Sequence, residues 1–558
     1  MSWDAIVIGS GPGGLTAALA LARAGQKVLV LEQHYLPGGW THSFTLEGHR
    51  FSPGVHYMGD LQPGGGLRRL YEGLGLGADL EFCEMRPDGF DHFVIDGEQF
   101  DQPKGLEAWK ARLTRRFPHE AQGIERYFTT VAKVIAEVKR CDEGLEFPRV
   151  LALPFRAPNL MWWGFRTASA LLESCVKDPL LRGVLAAQAG NHGLPLSQVS
   201  LPMHAAMTAH YWNGAYYPRG GAKRIPAAYL KALRRHGGQI RLRTEVSRIL
   251  VENGRAVGVE LTTGETLRAG HVISNADPAV TYGRLLPAET CRREVAKLDR
   301  TEHSVSMVSL FCGVGMDLRA LGFDSGNTWI YRTRDVDGAY ERAVRQLPAG
   351  DVESLFLSVS SLKDPGHAPT GQHTLEMFTL VPYEPFRAWE GSETGARSAE
   401  YERFKAQLAD RMLATAETVI PGLRRHLTFQ SIATPLTNWF YCRSWKGAMY
   451  GTAKTPWQVG PFSFSQKSPV DGLTLCGAST ISHGIAGASM SGLIAAQRVL
   501  GLSTAEACLG PADGSLRTIV SEEIEVRRAP ARRRRPQPTP APISVGPASR
   551  PAPVSVRP

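Results

Sequence analysis

The sequence predicts an α/β protein: a Rossmann-like dinucleotide-binding domain interrupted by an inserted α+β domain. Three observations predict it. The first 32 residues read strand, helix, strand. A Gly-x-Gly-x-x-Gly run occupies their first turn. Two further glycine-punctuated strand segments, at 239–277 and 472–500, lie far downstream with different patterning between them.

DAIVIG (4–9) is a short apolar run of the buried-strand type, Leu15 to Ala24 is an Ala/Leu-rich helix, and KVLVLE (27–32) is a second strand. Gly9 permits the tight turn out of the strand, Gly11 lets a pyrophosphate approach the backbone, and Gly14 lets helix and strand pack closely. The helix start adds free N–H groups and a partial positive charge for phosphates. Glu32, 18 residues after Gly14, ends the second strand, where it can accept from ribose hydroxyls. A glycine-rich turn that binds nothing would leave Glu32 unexplained.

Five residues separate Glu32 from Gly38-Gly39. That extension favours FAD over NAD, because a second glycine pair lets the chain run close to pyrophosphate and ribityl. FSPGVHYMGD (51–60) follows, with His56 and Tyr57 set between Gly54 and Gly59. Residues 75–215 mix helical segments with aromatic clusters such as Met161-Trp162-Trp163, for which a packed core is the first expectation and a lipid-facing entrance the second. From Gln239 to Asp277 strands alternate, with turns at Asn253-Gly254 and Thr263-Gly264. Val246, in the middle of a 239–251 strand, is placed to meet adenine through its backbone, and VISNAD (272–277), with Asn275, closes the same site. Strands are expected near 303–314, 353–361 and 373–381, and a long helix from about Ser398 to Thr418. GLTLCGAST (472–480) reads as a strand running into a loop, and a helix begins near Gly484. Gly477, Ile485 and Ala486 would then sit at a helix N-terminus beside the flavin, which favours an anionic reduced ring. A second Gly-x-Gly-x-x-Gly with a trailing acidic residue is missing, so a built-in nicotinamide domain is not expected.

The resulting division places residues 1–75, 216–285 and 466–505 in the FAD-binding domain and 76–215 and 286–465 in a substrate-binding domain. Residues 511–558 are expected to form a disordered Pro/Arg-rich tail, which lacks the apolar pattern needed for a core.

At 558 residues the chain is too long for one core. Its formal charge of +10 is concentrated at the end, where Val526 to Pro558 holds eight Arg and no Asp or Glu, leaving the rest near neutral. Nucleic acid is therefore not an expected partner. The eight cysteines show neither metal-ligand spacing nor a CxxC, which fits reduced thiols. MSWDAIVIGS carries Asp4 where a signal peptide has Lys or Arg, and no apolar run is long enough to span a bilayer. A cytoplasmic location is expected, with contact to a membrane surface left open.

These segments also carry a family resemblance. LEQHYLPGGWTHSFTLEGHRFSPGVHYMGD (31–60), HYWNGAYYPRGG (210–221), VISNADP (272–278) and TPLTNWFYCRSWKGAMYG (434–451) resemble the phytoene desaturase-related flavoproteins, in the branch of carotenoid isomerases and all-trans-retinol saturases. The resemblance covers 4–500. It implies an FAD domain of the glutathione reductase and amine oxidase type, assembled from three stretches, and an inserted substrate domain. It also implies chemistry on conjugated double bonds of a hydrophobic isoprenoid, by saturation or by cis–trans isomerisation, with an external electron donor or acceptor. In such a fold the 51–60 segment returns past the flavin, so His56 and Tyr57 become the catalytic candidates, His56 as proton donor or orienting group. Gly220 and Gly221 would approach the flavin from another side.

Three alternatives stand beside this reading. An oxidative carotenoid desaturase would run hydride toward the flavin. An amine-oxidase-like enzyme would use the same cofactor motifs, although Trp40 follows the glycine pair where such enzymes often place Arg. A flavin-bearing lipid-binding protein would carry its ligand without turnover. A metal site is not expected.

Overall fold

β1 (Trp3–Ile8), α1 (Pro12–Arg23) and β2 (Val28–Leu31) form the expected opening unit. Every β1 residue except Asp4 is buried, as is every α1 residue from Gly13 to Ala22. Helix α1 is buried on all sides because β-sheet lies on one flank and the Gly484–Leu500 helix on the other. Small side chains are required at that second contact: a Cβ on Gly492 would stand 2.0 Å from the Gly13 carbonyl oxygen.

The computed structural model describes residues 2–141, 153–346 and 350–524. Its first sheet has seven strands. Val246–Glu252, Arg255–Leu261 and Thr266–Ser274 form an antiparallel meander. The last of these continues parallel to β1, and beyond β1 come β2 and Gln239–Arg241, also parallel. Leu473–Leu475 pairs in parallel with the same Thr266–Ser274 strand. Three distant stretches of chain thus share one sheet, and the ends of its parallel strands open toward one place. The expected continuous strand over 239–251 is broken: the chain turns at Arg243 (φ +53°), so Val246 begins a strand instead of lying mid-strand. Backbone bonds tie the break to β2, with Thr244 N–H donating to the Glu32 carbonyl at 2.8 Å.

The second sheet runs Leu427–Ala433, Ser306–Val314, His373–Val381, Ser354–Val359, Asn327–Tyr331, Asp91–Ile95 and Glu98–Gln102. Asp91–Ile95 and Asn327–Tyr331 are parallel; the other pairs are antiparallel. Strands at 91–102 and 327–331 were not expected from the sequence. Ser306–Val314 is buried at all nine positions, as a strand covered on both faces must be. Alternation divides its neighbours. Leu355, Leu357, Leu375 and Met377 pack with the Ala399–Ala416 helix side, while Phe356 and Phe378 face the opposite core.

One boundary needs correction. Residues 511–524 were assigned to the disordered tail, yet Arg517–Val520 pairs in parallel with Glu81–Glu84, which pairs in turn with Tyr216–Pro218. Leu516 is buried, and Ser325 Oγ donates to Glu522. The stretch is polar, so its order comes from borrowed backbone pairing and not from an apolar pattern of its own. The rest of the expected tail, 525–558, lies outside the described residues.

Candidate active site

The first loop is built by exclusion. A Cβ on Gly14 would fall 2.1 Å from the Gly9 carbonyl oxygen, and one on Gly11 would fall 2.8 Å from Asn275 Nδ2. Gly39 brings the chain back so closely that its own Cβ would touch Gly11 Cα at 3.4 Å. Neither α1 nor the Gly484–Leu500 helix has a side-chain cap on its first-turn amides. Both helix starts open on the same cavity, which has a volume of about 480 Å³. Glu32 lies at its edge, with its carboxylate fixed by Ser10 N–H (2.9 Å) and Oγ–H (2.6 Å) on one oxygen and His34 N–H (2.9 Å) on the other.

Gly9, Gly11, Glu32, Gly39, Val246, Asn275, Gly477, Ile485 and Ala486 all line this cavity. Gly14 and Gly38 support it from behind, Gly38 by donating its N–H to Ser10 Oγ at 2.9 Å. Gly220 and Gly221, expected at the cofactor, do not reach it. Gly220 N–H donates to Asp364 Oδ2 at 2.7 Å, and a Cβ on Gly221 would meet Arg50 and His367 side chains. Their close contact is with neighbouring turns. Gly59 admits a helix end: its Cβ would stand 1.8 Å from the His210 carbonyl oxygen.

Beyond the glycine loop the cavity wall changes character. Met203, Met207, Tyr211, Met307, Phe356 and Phe378 give it an apolar lining, and His56 and Tyr57 line it beside these residues. Tyr57 stacks on Tyr211 with ring centroids 4.5 Å apart. Its hydroxyl donates to Asp91 Oδ2 (3.0 Å) and accepts from Asn191 Nδ2 (2.7 Å). Burial and the Asp91 charge hold that phenol well above its ordinary range. Asp91 also accepts from Gln188, Asn327 and Trp329, and burial pushes its carboxyl up to about 6 against those donors.

His56 packs its ring on Phe356 and Phe378, at 5.1 and 5.5 Å between centroids. Its Nδ1 is 3.4 Å from Glu376 Oε2. Its carbonyl accepts from Lys363 Nζ at 2.7 Å. Lys363 is fully buried, and burial draws its ammonium down to about 7 although Glu376 and Asp91 pull the other way. His210 lines the cavity and accepts from Gly59 N–H at 2.9 Å; burial lowers it. His204 is a satisfied core residue, its Nε2 bonded to Tyr127 Oη at 2.7 Å. Arg219 pairs locally with Glu81. Trp162 and Met161 were expected in a core but are 61% and 43% exposed.

Asp91, Lys363 and Glu376 escaped the sequence reading. A signal existed for two of them: DHFVI and LEMFTLV each hold one carboxylate in a strand-like apolar run, a position rarely charged without a partner. Among the described residues no cluster suited to a metal ion is present, and no helix is long and apolar enough to cross a membrane.

The family model for flavin containing amine oxidoreductases matches residues 12–500. All-trans-retinol 13,14-reductase of Macaca fascicularis is 30% identical over 522 residues, covering 89% of this chain and 85% of that protein. Chloroplastic prolycopene isomerase of Daucus carota is 29% identical over 514 residues, covering 89% and 80%. A crystal structure of putrescine oxidase bound to putrescine superposes with a TM-score of 0.60 at 16% identity, covering 90% of this chain and 99% of that one, which speaks to the fold alone. The chain belongs to the flavin containing amine oxidoreductase family, and its cofactor is FAD. The cradle fits that group: glycines let the first turn, Asn275 and the returning Gly39 pack closely, and Glu32 and two uncapped helix starts border the same cavity.

Proposed function

From this family membership we propose that the protein is an FAD-dependent oxidoreductase acting on a conjugated double bond of a long apolar isoprenoid, by saturation or by cis–trans isomerisation. One observation carries the reading. A single cavity is a glycine-lined nucleotide cradle at one end and a Met/Phe/Tyr-lined slot at the other. Two relatives named for a retinol reductase and a prolycopene isomerase support a polyene as the occupant of that slot.

Reduced FAD, when bound, supplies a hydride to one carbon of a conjugated bond, and an external donor restores the electron pair. The chain's own residues do the rest. The apolar slot excludes water and aligns the polyene. Tyr57 and Tyr211, stacked and pinned through Asp91, keep one wall rigid. His56, on the cavity wall against Phe356 and Phe378, holds the proton for the neighbouring carbon. With hydride and proton both delivered, C=C becomes CH–CH; with the added hydrogen returned after rotation, the bond is isomerised and nothing is consumed. Phe165, Trp457 and Phe462 cluster in the open with centroids 5.5–6.1 Å apart, which supports a surface that would meet a membrane carrying an apolar substrate.

The test is anaerobic reduction of the holoprotein, incubation with all-trans-retinol or a poly-cis carotene, and mass analysis of the product. A gain of two hydrogens means saturation, and unchanged mass with altered retention means isomerisation. Unchanged substrate in both cases would defeat the proposal.

A further inference from the structure

Glu376 lies in the middle of a strand buried along almost its whole length and is 1% exposed. A carboxylate there requires partners. One oxygen has one, accepting from Ser52 N–H at 3.2 Å. The other, Oε2, has no hydrogen bond, and the atom it faces is His56 Nδ1 at 3.4 Å, which is equally buried and equally without a hydrogen bond. Two unsatisfied buried polar atoms facing each other across slightly more than a hydrogen bond form a contact that a small ring movement completes. Strand alternation explains the aim: Glu376 is two positions before Phe378, on the face that meets the 52–57 loop, and Phe378 carries the His56 ring.

The loop itself is held by Lys363. Its Nζ donates to the His56 carbonyl (2.7 Å), Asn327 Oδ1 (2.5 Å) and Ser358 Oγ (2.7 Å), using all three of its N–H positions. The His56 backbone is therefore fixed from below while its ring faces a carboxylate on one side and the cavity on the other.

We propose that Glu376 is the positioning residue of His56: it accepts from Nδ1–H, fixes the ring tautomer and orientation, and leaves Nε2 as the nitrogen that delivers a proton into the slot. The inference rests on the reading of that slot as a polyene site. In the step itself the Nε2–H bond breaks and a C–H bond forms at the carbon beside the one receiving hydride. The ring begins as an imidazolium and is left neutral with Nδ1–H still on Glu376; a proton from bulk solvent restores it after the product leaves. Glu376 gains and loses nothing; it acts through His56.

The experiment is a double-mutant cycle on the holoprotein with Glu376→Gln, His56→Ala and both together. FAD content and the melting temperature are measured beside kcat and KM on whichever polyene is turned over. Glu376→Gln is expected to lower kcat at least 10-fold with KM and FAD content unchanged, and to have no further effect once His56 is Ala. An equal fall in both backgrounds, or an unchanged kcat in the single variant, overturns the positioning role. Full activity in His56→Ala overturns the role of His56 and with it that of Glu376, whereas a wild-type holoprotein that turns over no polyene sinks the reading beneath both, so the two failures are distinguishable. Where Glu376→Gln does not fold, Glu376→Asp, which keeps the charge but draws it back from Nδ1, is read by the same cycle.

Discussion

The Tyr57 hydroxyl joins the cavity wall to the inserted sheet: it donates to Asp91 Oδ2 at 3.0 Å while accepting from Asn191 Nδ2 at 2.7 Å. Both neighbours lie far away in sequence, so this one oxygen ties three segments together. Tyr57→Phe strands a half-buried donor on Asn191 and takes one of four donors from Asp91. The expected loss is about 1–3 kcal/mol in urea unfolding, with FAD still bound. Unchanged stability would show that water replaces the hydroxyl at no cost.

Asp91 and Lys363 make stability depend on pH in opposite senses. The folded Asp91 carboxyl is raised from 3.8 to about 6, so the folded chain takes up a proton before the unfolded chain does. Its contribution to stability therefore rises as pH falls from about 6 toward 4. Lys363 is lowered from 10.5 to about 7, so the unfolded chain binds the extra proton between those values, and this contribution rises with pH over that window. Denaturant unfolding of the wild type against Asp91→Asn should show a difference that shifts in favour of the wild type on acidification. Against Lys363→Met the shift should appear on going alkaline. Parallel profiles would mean that these two groups do not titrate on unfolding.

Backbone pairing at 517–520 predicts an end-point effect. A chain ending at residue 510 loses the strand beside Glu81–Glu84 and exposes the surface that Leu516 covers. It should melt several degrees below a chain ending at 524, since even about 1–2 kcal/mol is a sizeable share of net stability. Equal melting temperatures would make the pairing dispensable.

The exposed aromatic cluster predicts membrane binding. Trp457 is 65% exposed and stacks on Phe165, in the open. The holoprotein should sediment with phosphatidylcholine vesicles, and Trp162→Ala combined with Trp457→Ala should reduce the bound fraction several-fold without changing the melting temperature. Equal binding by the variant would place the contact elsewhere.

What the sequence determined by itself is the cofactor and the fold class. The turn of Gly9, Gly11 and Gly14 and the place of Glu32 beyond β2 are legible because they are local: spacing along one turn dictates which amides are free and where a carboxylate ends a strand. Gly477, just past the Leu473–Leu475 strand, and Ile485 and Ala486, in the first turn of the Gly484–Leu500 helix, are local features of the same kind. Gly220-Gly221 have the same pattern and pack on neighbouring turns, because a glycine reports only that something comes close, not what. Asp91, Lys363 and Glu376 could be noticed as charges but not assembled, since the contacts that matter join residues 56, 91, 363 and 376 from a loop, two strands and a short helix. Strand register and sheet order bring them together, and those are set by long-range packing that no short window of sequence contains.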